Sequence, residues 1–545
     1  MLSGLKDFLQ IIQLDTFLCR VLGIAFILGL AGCSPEQYKA QADKEVYQII
    51  DSKWQDDFGH KSNYIIKDSN VPPSPDDIQI ELAVPASGVI SLAQAIAIAT
   101  AHNREYQRQK EQLYLEALDL TLARHQFARQ WFGTVDAEYI RDSQDEKVNS
   151  DIGLGFQQLL ADGAMISIDI AMDWTRFLTG DPRTSLASIL SASASQPLLR
   201  GRGRRVVQEN LTQAERNVLY QIRSFNRYRK EFVVSIASSY YRVLQLKASV
   251  TNAENSYYRL VESRKRLEIE AEAGLAQSFD VDEAEQRALS ARNQWVQAQQ
   301  TYERFLDEFK VTLSLPPDAE IELDETELKA LEEIVIIELG YELDEAVETA
   351  FFRRLDLATS KDRIDDAARK VELAADGLGM ELNLIGSAGV GSTPDTDFER
   401  LQFHEGTYSF GLEGDLPLDR KAERNAYREA LIAFEQQQRQ YEIDRDRMEL
   451  DVRQALRALK AEAEQYQIQK MALDLAERRL EHQKMLLDLG QGNTRLLLES
   501  EGALLNAQND VMNALVTHAI AKLGFFRDIG ILQVRPDGMW EQQVQ

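Results

Sequence analysis

Two long stretches of the chain are predicted to be helices, and the first of them carries apolar residues at alternating spacings of three and four, the pattern of a helix that packs along its whole length. They run from Arg205 to Glu272 and from Ala422 to Leu489, and neither contains proline. The seam of the first consists of Val243, Leu246, Val250, Ala253, Tyr257 and Leu260. A helix of about 67 residues is about 100 Å long, far more than the width of a globular domain. We therefore predict two very long helices that need partner helices throughout.

Shorter helical patterns, at roughly residues 91 to 130 and 278 to 312, supply those partners. Their combined length matches one long helix, so two of them stacked end to end cover it. This arrangement predicts the wall of a helical tube.

Strict alternation marks two other segments as strands. Residues 166–175 place Ile166, Ile168, Ile170, Met172 and Trp174 on one face, and residues 407–416 place Tyr408, Phe410 and Leu412 likewise. Strands of about ten residues with one apolar and one polar face fit a membrane β-barrel, although a half-buried soluble sheet has the same period. Because lipid does not tolerate open sheet edges, the membrane interpretation predicts several copies of the chain around one axis.

The chain contains a tandem repeat, in three sets of matching residues. Leu92, Ala95 and Ala99 recur at an offset of 251 as Leu343, Ala346 and Ala350. Pro197, Arg204, Glu209 and Glu215 recur at 220 as Pro417, Arg424, Glu429 and Glu435. Gly274, Glu285, Leu289, Ala291, Asn293, Ala298, Thr301 and Phe309 recur at 216 as Gly490, Glu501, Leu505, Ala507, Asn509, Ala514, Thr517 and Phe525. Each half reads as a helix, a β region, a very long helix, a glycine turn and a shorter helix.

The first half carries 31 additional residues between Ala99 and Pro197, because the offset falls from 251 to 220. We predict that they form a β-hairpin, approximately from Ile152 to Trp174. Its turn lies in the sequence LLADGA, where Asp162 and Gly163 have the required turn chemistry. Such a hairpin either widens the sheet or packs beside it.

The N-terminal segment has the pattern of a signal peptide. An apolar run from Val21 to Leu30 follows Arg20 and is too short to span a bilayer. The run ends in the sequence LAGC, which resembles the lipobox of bacterial lipoproteins, so we expect processing before Cys33 and lipid attachment to its sulfur. The alternative is a cysteine buried in an ordinary apolar helix. By resemblance to other lipoproteins, Ser34 favours sorting to the outer membrane.

Composition excludes several classes of function. The net charge of −27 stays unchanged when residues 1–32 are removed, so nucleic acid is not an expected partner. Six scattered histidines and no cysteine after Cys33 leave no metal-ligand spacing, and we expect neither enzymatic activity nor a cofactor. The RGRGRR run at 200–205 lacks the strand and helix context of a phosphate loop, and we interpret it as a polar girdle.

Three stretches resemble the TolC-like outer membrane efflux proteins, also called outer-membrane factors. Residues 273–294 and 489–515 resemble the family's helix-turn-helix tips, and residues 195–205 resemble its passage from strand to long helix. The similarity covers roughly residues 85 to 532, and Cys33 places the chain in the lipoprotein branch.

This resemblance implies a mainly α fold with β structure, in which tandem repeats form a long α-helical barrel plus a trimeric transmembrane β-barrel. It implies an exit duct in the cell outer membrane, extending into the periplasm, for a tripartite efflux or type I secretion system. The implied partners are two further chains in a homotrimer, outer membrane lipid, a periplasmic adaptor protein and an inner-membrane pump of RND or ABC type. The adaptor would dock at the tips, around Gly274, Leu275, Gly490 and Gly492. The transported solute cannot be read from the sequence.

The resemblance also suggests gate residues at the tips. Asp280 matches a carboxylate that the family uses in a polar link, and Glu499 matches one of its acidic rings. The other ring position holds Leu496, and Gly492 replaces the family's linking arginine, for which Arg495 is a candidate substitute. The alternative is that Asp280, Arg495 and Glu499 lie on the outer, solvated face of the tip.

These expectations divide the chain into a signal peptide (1–32), an acidic N-terminal lead (33–90), a first repeat (91–317), an equatorial linker (318–342), a second repeat (343–532) and a C-terminal tail (533–545). Because Pro72, Pro73, Pro75 and Pro85 interrupt it, the lead is expected to be extended along the outside of the tube. The competing function is a coiled-coil lipoprotein scaffold or periplasmic adaptor without a pore. An adaptor would carry one helical hairpin rather than two.

Overall fold

The structure is a computed structural model that describes residues 34–55, 58–59, 61, 64–66, 85, 88–141, 146–177, 184–274, 276–334, 340–393, 397–416, 418–489, 491–535 and 539–540. The chain divides into two compact units, residues 1–53 and 54–545. The first unit contains helix α1 (Pro35–Lys53). The expectation of an extended lead is therefore wrong for this segment, which is rich in helix-forming Gln, Ala, Lys and Glu. Pro35 occupies the first helical position, where its missing N–H costs nothing.

The helices of the first repeat are α2 (Leu92–His102), α3 (Arg104–His125), α4 (Arg204–Val207), α5 (Glu209–Glu272) and α6 (Ser278–Thr312). The single helix expected over 91–130 is broken at Asn103, whose side-chain oxygen accepts a hydrogen bond from the Tyr106 amide at 2.9 Å. The long helix begins at Glu209 rather than at Arg205, because Gln208 has a non-helical backbone between α4 and α5.

Two short strands pair in parallel, β1 (Val89–Ile90) just before the first repeat and β6 (Glu322–Leu323) in the linker between the repeats. Helix α7 (Thr326–Ile334) lies in the linker. The helices of the second repeat are α8 (Leu343–Arg353), α9 (Leu355–Asp376), α10 (Lys421–Asp488) and α11 (Thr494–Asp528). Helices α8 and α2 are equal in length, at 11 residues each, and so are α9 and α3, at 22 residues each. Helices α6 and α11 both have 35 residues. The tandem duplication is confirmed.

Helix α5 lies in the middle of the helical layer. Helices α3 and α6 pack against successive parts of it, and α9 and α11 of the second repeat pack against it as well. Helices α9 and α11 also pack on α10, which leaves large apolar side chains exposed along α10 at Ile432, Ile443, Leu450, Ile468, Met471 and Leu475. The two long helices of the repeat therefore have different surroundings.

A buried ionic network fixes α5 against α9. The Arg369 guanidinium lies 2.9 Å from the Glu209 carboxylate and 2.9 Å from that of Asp366. The Tyr220 hydroxyl donates to Asp366 at 2.6 Å, and burial together with this bond raises the pKa of Tyr220 to about 12. The phenol stays protonated at neutral pH, so the network joins the two repeats through a neutral donor and compensated charges.

The β regions form one sheet with strand order β2 (Gln130–Arg141), β3 (Glu146–Leu159), β4 (Met165–Phe177), β5 (Thr184–Pro197), β7 (Glu381–Thr393) and β9 (Thr407–Asp415). Short strand β8 (Asp397–Leu401) pairs with the end of β7. The predicted hairpin of the first half is confirmed as β3–β4, with its turn at residues 160–164. No described helix has the length and hydropathy that a membrane crossing requires.

Candidate functional site

The two helical hairpins, α5–α6 and α10–α11, contact each other near their turns. Leu498 of α11 is 2% exposed and packs among Leu260 and Leu267 of α5 and Ala284, Ala288 and Ala291 of α6. This apolar cluster brings the two tips, which carry most of the predicted site residues, to the same end of the second unit.

The first tip turns through a glycine in the left-handed region. Gly274 has a φ of 76°, and its amide donates to the Ala271 carbonyl at 3.0 Å while the Ala276 amide donates to Glu270 at 3.3 Å. These bonds satisfy carbonyls at the end of α5, and a glycine adopts the required φ without strain. Leu275 lies outside the described residues.

Asp280 acts at this tip as a helix-capping residue. Its carboxylate accepts a hydrogen bond from the Gln277 amide at 3.3 Å, while the Asp280 amide donates to the Gln277 carbonyl at 3.0 Å. The negative charge therefore lies in the first turn of α6, where it is favourable with the helix dipole. This local role comes in addition to the predicted intermolecular link.

The second tip is tight at Gly492. A Cβ on this residue would lie 2.5 Å from the Cα and 2.6 Å from the amide nitrogen of Leu487, so only glycine fits. The Gln491 amide donates to the Leu486 carbonyl at 3.0 Å. Gly490 lies outside the described residues. The replacement of an arginine by Gly492 thus has a steric reason in this chain.

Arg495 and Glu499 form an ion pair on the first turns of α11, with Nε and Oε1 3.2 Å apart. Their side chains are 70% and 38% exposed, and the Asn493 side chain caps the helix by accepting from the Arg495 amide at 2.9 Å. Within the described part of one chain, Arg495 therefore pairs with Glu499, whereas Asp280 stays at its own helix end. A link between neighbouring chains remains a prediction.

One buried carboxylate near the tips was not predicted as a site residue from the sequence. Glu501 of α11 is 1% exposed and lies 2.5 Å from Nε of Arg259 on α5 and 3.4 Å from Nζ of Lys484 on α10. One carboxylate thus connects both hairpins. Glu285, its equivalent in the first repeat, is 54% exposed and lies 3.7 Å from Arg264. The recurrence of glutamate at these two equivalent positions was the sequence signal that could have identified Glu501.

The tips also expose large apolar side chains, which the sequence analysis did not single out. These are Ile269, Phe279, Met485 and Leu489, all more than half exposed. Exposed apolar groups on a charged surface are typical of protein interaction sites. Among the described residues, no group of three or more His, Cys, Asp or Glu side chains is placed to hold a metal ion. Cys33 lies outside the described residues.

Comparisons with known proteins agree with this architecture. Residues 346–523 match the sequence model of the family described as Outer membrane efflux protein. No match to a curated protein sequence is found. The fold is similar to CusC, with a TM-score of 0.59 and 14% identity over 86% of this chain and 99% of that chain. It is similar to the outer-membrane channel OprN, with a TM-score of 0.57 and 14% identity over the same shares.

The outer membrane channel CmeC of Campylobacter jejuni has a TM-score of 0.59 and 14% identity, over 90% of this chain and 93% of that chain. Identities this low show a shared fold alone. The evidence of sequence similarity comes from the match of residues 346–523 to the family model. The resemblance stated from the tip sequences is confirmed. Residues 346–523 thus match the outer membrane efflux protein family in sequence, in a chain that has the fold of these outer-membrane channels.

Proposed function

We propose that this protein is the outer membrane exit duct of a tripartite efflux or type I secretion system and works as a homotrimer. The observation that carries the proposal is the sheet. Of the six long strands that the structure describes, β2 and β9 are the edges, each paired with another long strand on one side. They expose Trp131, Val135, Tyr139, Tyr408, Phe410 and Leu412. Such edges promote aggregation in water and are not tolerated in lipid, but pairing of β9 with β2 of the next chain removes them.

The helical layer supports the same assembly. The exposed apolar stripe along α10 needs a covering helix, and the neighbouring chain offers the free sides of α3 and α6, where Leu115, Leu122, Leu289 and Val296 are exposed. Three copies would then form a closed β-barrel and a continuous α-helical barrel. The proteins similar in fold are described as outer-membrane channels, which favours the outer membrane as the location.

The partners follow from the duct. A periplasmic adaptor would dock on the exposed apolar groups of the tips, and an inner-membrane pump would drive solutes through the tube. We propose Cys33 as the lipid anchor. Three acyl chains on each of three lipoprotein subunits attach far more firmly than one. For the gate we propose a ring of Glu499 carboxylates, with Asp280 and Arg495 as the link between neighbouring hairpins, because carboxylate rings at a narrow mouth favour cations.

Electron microscopy of the detergent-solubilised protein tests the proposal. We expect a threefold particle with a β wall at one end and a helical tube of about 100 Å. A monomer or a filament without an axial channel would contradict it and would favour the alternative, a coiled-coil scaffold or adaptor. When the purified adaptor is added, it should bind at the end of the tube opposite the β wall.

A further inference from the structure

Among the described residues of the second repeat, the β3–β4 hairpin has no counterpart. Strand β2 becomes β7 at the offset of 251, and β5 becomes β9 at the offset of 220. Each repeat therefore contributes two equivalent long strands, and the hairpin from Glu146 to Phe177 lies between the two of the first repeat. The duplication alone would give four long strands per chain, whereas the described part of this chain has six in the sheet.

The hairpin is an integral part of the sheet rather than an appendage packed beside it. Strand β3 pairs with β2 in unbroken register from Gln130↔Gln157 to Arg141↔Glu146. Strand β4 pairs with β5 in the same way, from Met165↔Ser195 to Arg176↔Thr184. Because β2 and β5 have no direct pairing in this arrangement, the hairpin separates two strands whose equivalents β7 and β9 are neighbours.

Both faces of the sheet continue through the hairpin. Directly paired residues share a face, so Trp131, Phe156, Ile168, Ala192, Ala388 and Tyr408 form one apolar row across all six strands. On the opposite face Asp136 pairs with Asp151, and Asp151 pairs with Asp173. Like charges directly opposite each other are destabilising unless water screens them, so this face borders an aqueous space.

The turn of the hairpin packs against the passage from strand to helix. Gly163 has a φ of 99°, and a Cβ there would lie 2.8 Å from Cγ of Pro197 and 2.9 Å from the carbonyl oxygen of Gly201. The Gly203 amide donates to the Asp162 carbonyl at 3.2 Å. These contacts fix the turn of the hairpin against the segment that joins β5 to α4 in the same chain.

We infer that the hairpin enlarges the membrane pore, so that the assembled trimer has a closed wall of eighteen strands rather than twelve while the helical tube is unchanged. The inference rests on the proposed function. Because barrel diameter grows roughly linearly with strand number, the pore would be about 1.5 times as wide, in the range where barrels enclose an aqueous channel. Bulky solutes or unfolded polypeptides would cross this section freely, and any selection by size would occur in the helical section.

The test is a cryo-electron microscopy map of the full chain, compared with a variant that lacks residues 146–177 and keeps residues 142–145 and 178–183 as its loop. We expect eighteen strands in the wild type and twelve in the variant, with helical tubes of equal diameter. As a second measurement, graded poly(ethylene glycol)s enter the β section of the wild type in planar bilayers up to a larger size than in the variant.

A threefold wall of twelve strands in the wild type, with the hairpin outside it, would overturn the inference and leave the proposed function standing. A particle without any closed wall would overturn both. The strand count of the wild type decides the matter even if the deletion variant fails to assemble.

Discussion

Replacing Glu501 by glutamine removes a buried carboxylate that connects both hairpins near their tips. The side chain keeps its size, but Arg259 and Lys484 lose their counter-charge. Breaking a buried ion pair from one side costs about 3–5 kcal/mol. Because the Arg259 and Lys484 side chains are 25% and 50% exposed, water compensates part of the loss, and we expect about 2–3 kcal/mol here.

Hydrogen exchange of the assembled protein measures this loss locally. A cost of about 2–3 kcal/mol corresponds to a roughly 30- to 150-fold faster opening of the hairpin contact, at about 1.4 kcal/mol per factor of ten. The faster exchange should be confined to residues 256–263 and 497–505, and the amides around Tyr240 should be unaffected. The reasoning would be refuted by unchanged exchange at the tips.

Glu285→Gln is the matched control, because Glu285 is the repeat equivalent and is 54% exposed, 3.7 Å from Arg264. An exposed pair of this kind contributes at most about 1 kcal/mol, so its removal should change exchange by less than about fivefold. Equal effects of the two variants would show that burial of Glu501 has no energetic importance.

Four further predictions address other parts of the chain. Gly163→Ala should lower the thermal midpoint of the protein by more than Gly201→Ala; both residues have positive φ, but of the two it is Gly163 that has atoms within 4 Å of an added Cβ, and strain plus clash should cost about 2 kcal/mol or more. Burial and the charges of Arg229 and Arg353 lower the pKa of Lys230 to about 8. The unfolded chain therefore binds more protons above pH 8, and stability should rise with pH toward the ordinary lysine pKa in the wild type but not in Lys230→Met, as followed by thermal denaturation. Cys33→Ser should abolish acyl labelling and leave an unprocessed precursor in mass spectra, whereas an unmodified N-terminus elsewhere in the wild type would refute the anchor. In planar bilayers Glu499→Gln should weaken cation selectivity and Asp280→Ala should raise the resting conductance; no change in either variant would identify both as surface charges.

Periodicity was sufficient to predict the large elements. The long helices were placed within a few residues of α5 and α10, since a seam repeated over many turns outweighs local irregularity. The strand of residues 166–175 was found inside β4 for the same reason. The offsets between repeats also predicted the inserted hairpin, because a duplicated chain provides its own reference.

Breaks in helices and contacts between distant elements were harder to predict from the sequence. Asn103 ends one helix and caps the next, a role that depends on its backbone conformation rather than on its type alone. Glu499 and Glu501 are two residues apart and lie on nearly opposite faces of one helix, so the rotation of that helix about its axis decides that Glu501 is buried while Glu499 stays partly exposed. A sequence without a partner chain leaves that rotation undetermined.

The contact of α5 with α9 affects how the complete tube assembles. In a ring of six repeats, every second seam of the proposed trimer is this contact, held by Glu209, Asp366 and Arg369 within one chain. Linking two repeats on one chain raises their effective concentration, so these seams close at a rate independent of protein concentration. Only the seams between chains depend on encounter in the membrane. Dilution during insertion therefore slows the assembly at half of its seams, and a chain awaiting partners already contains one third of the finished ring.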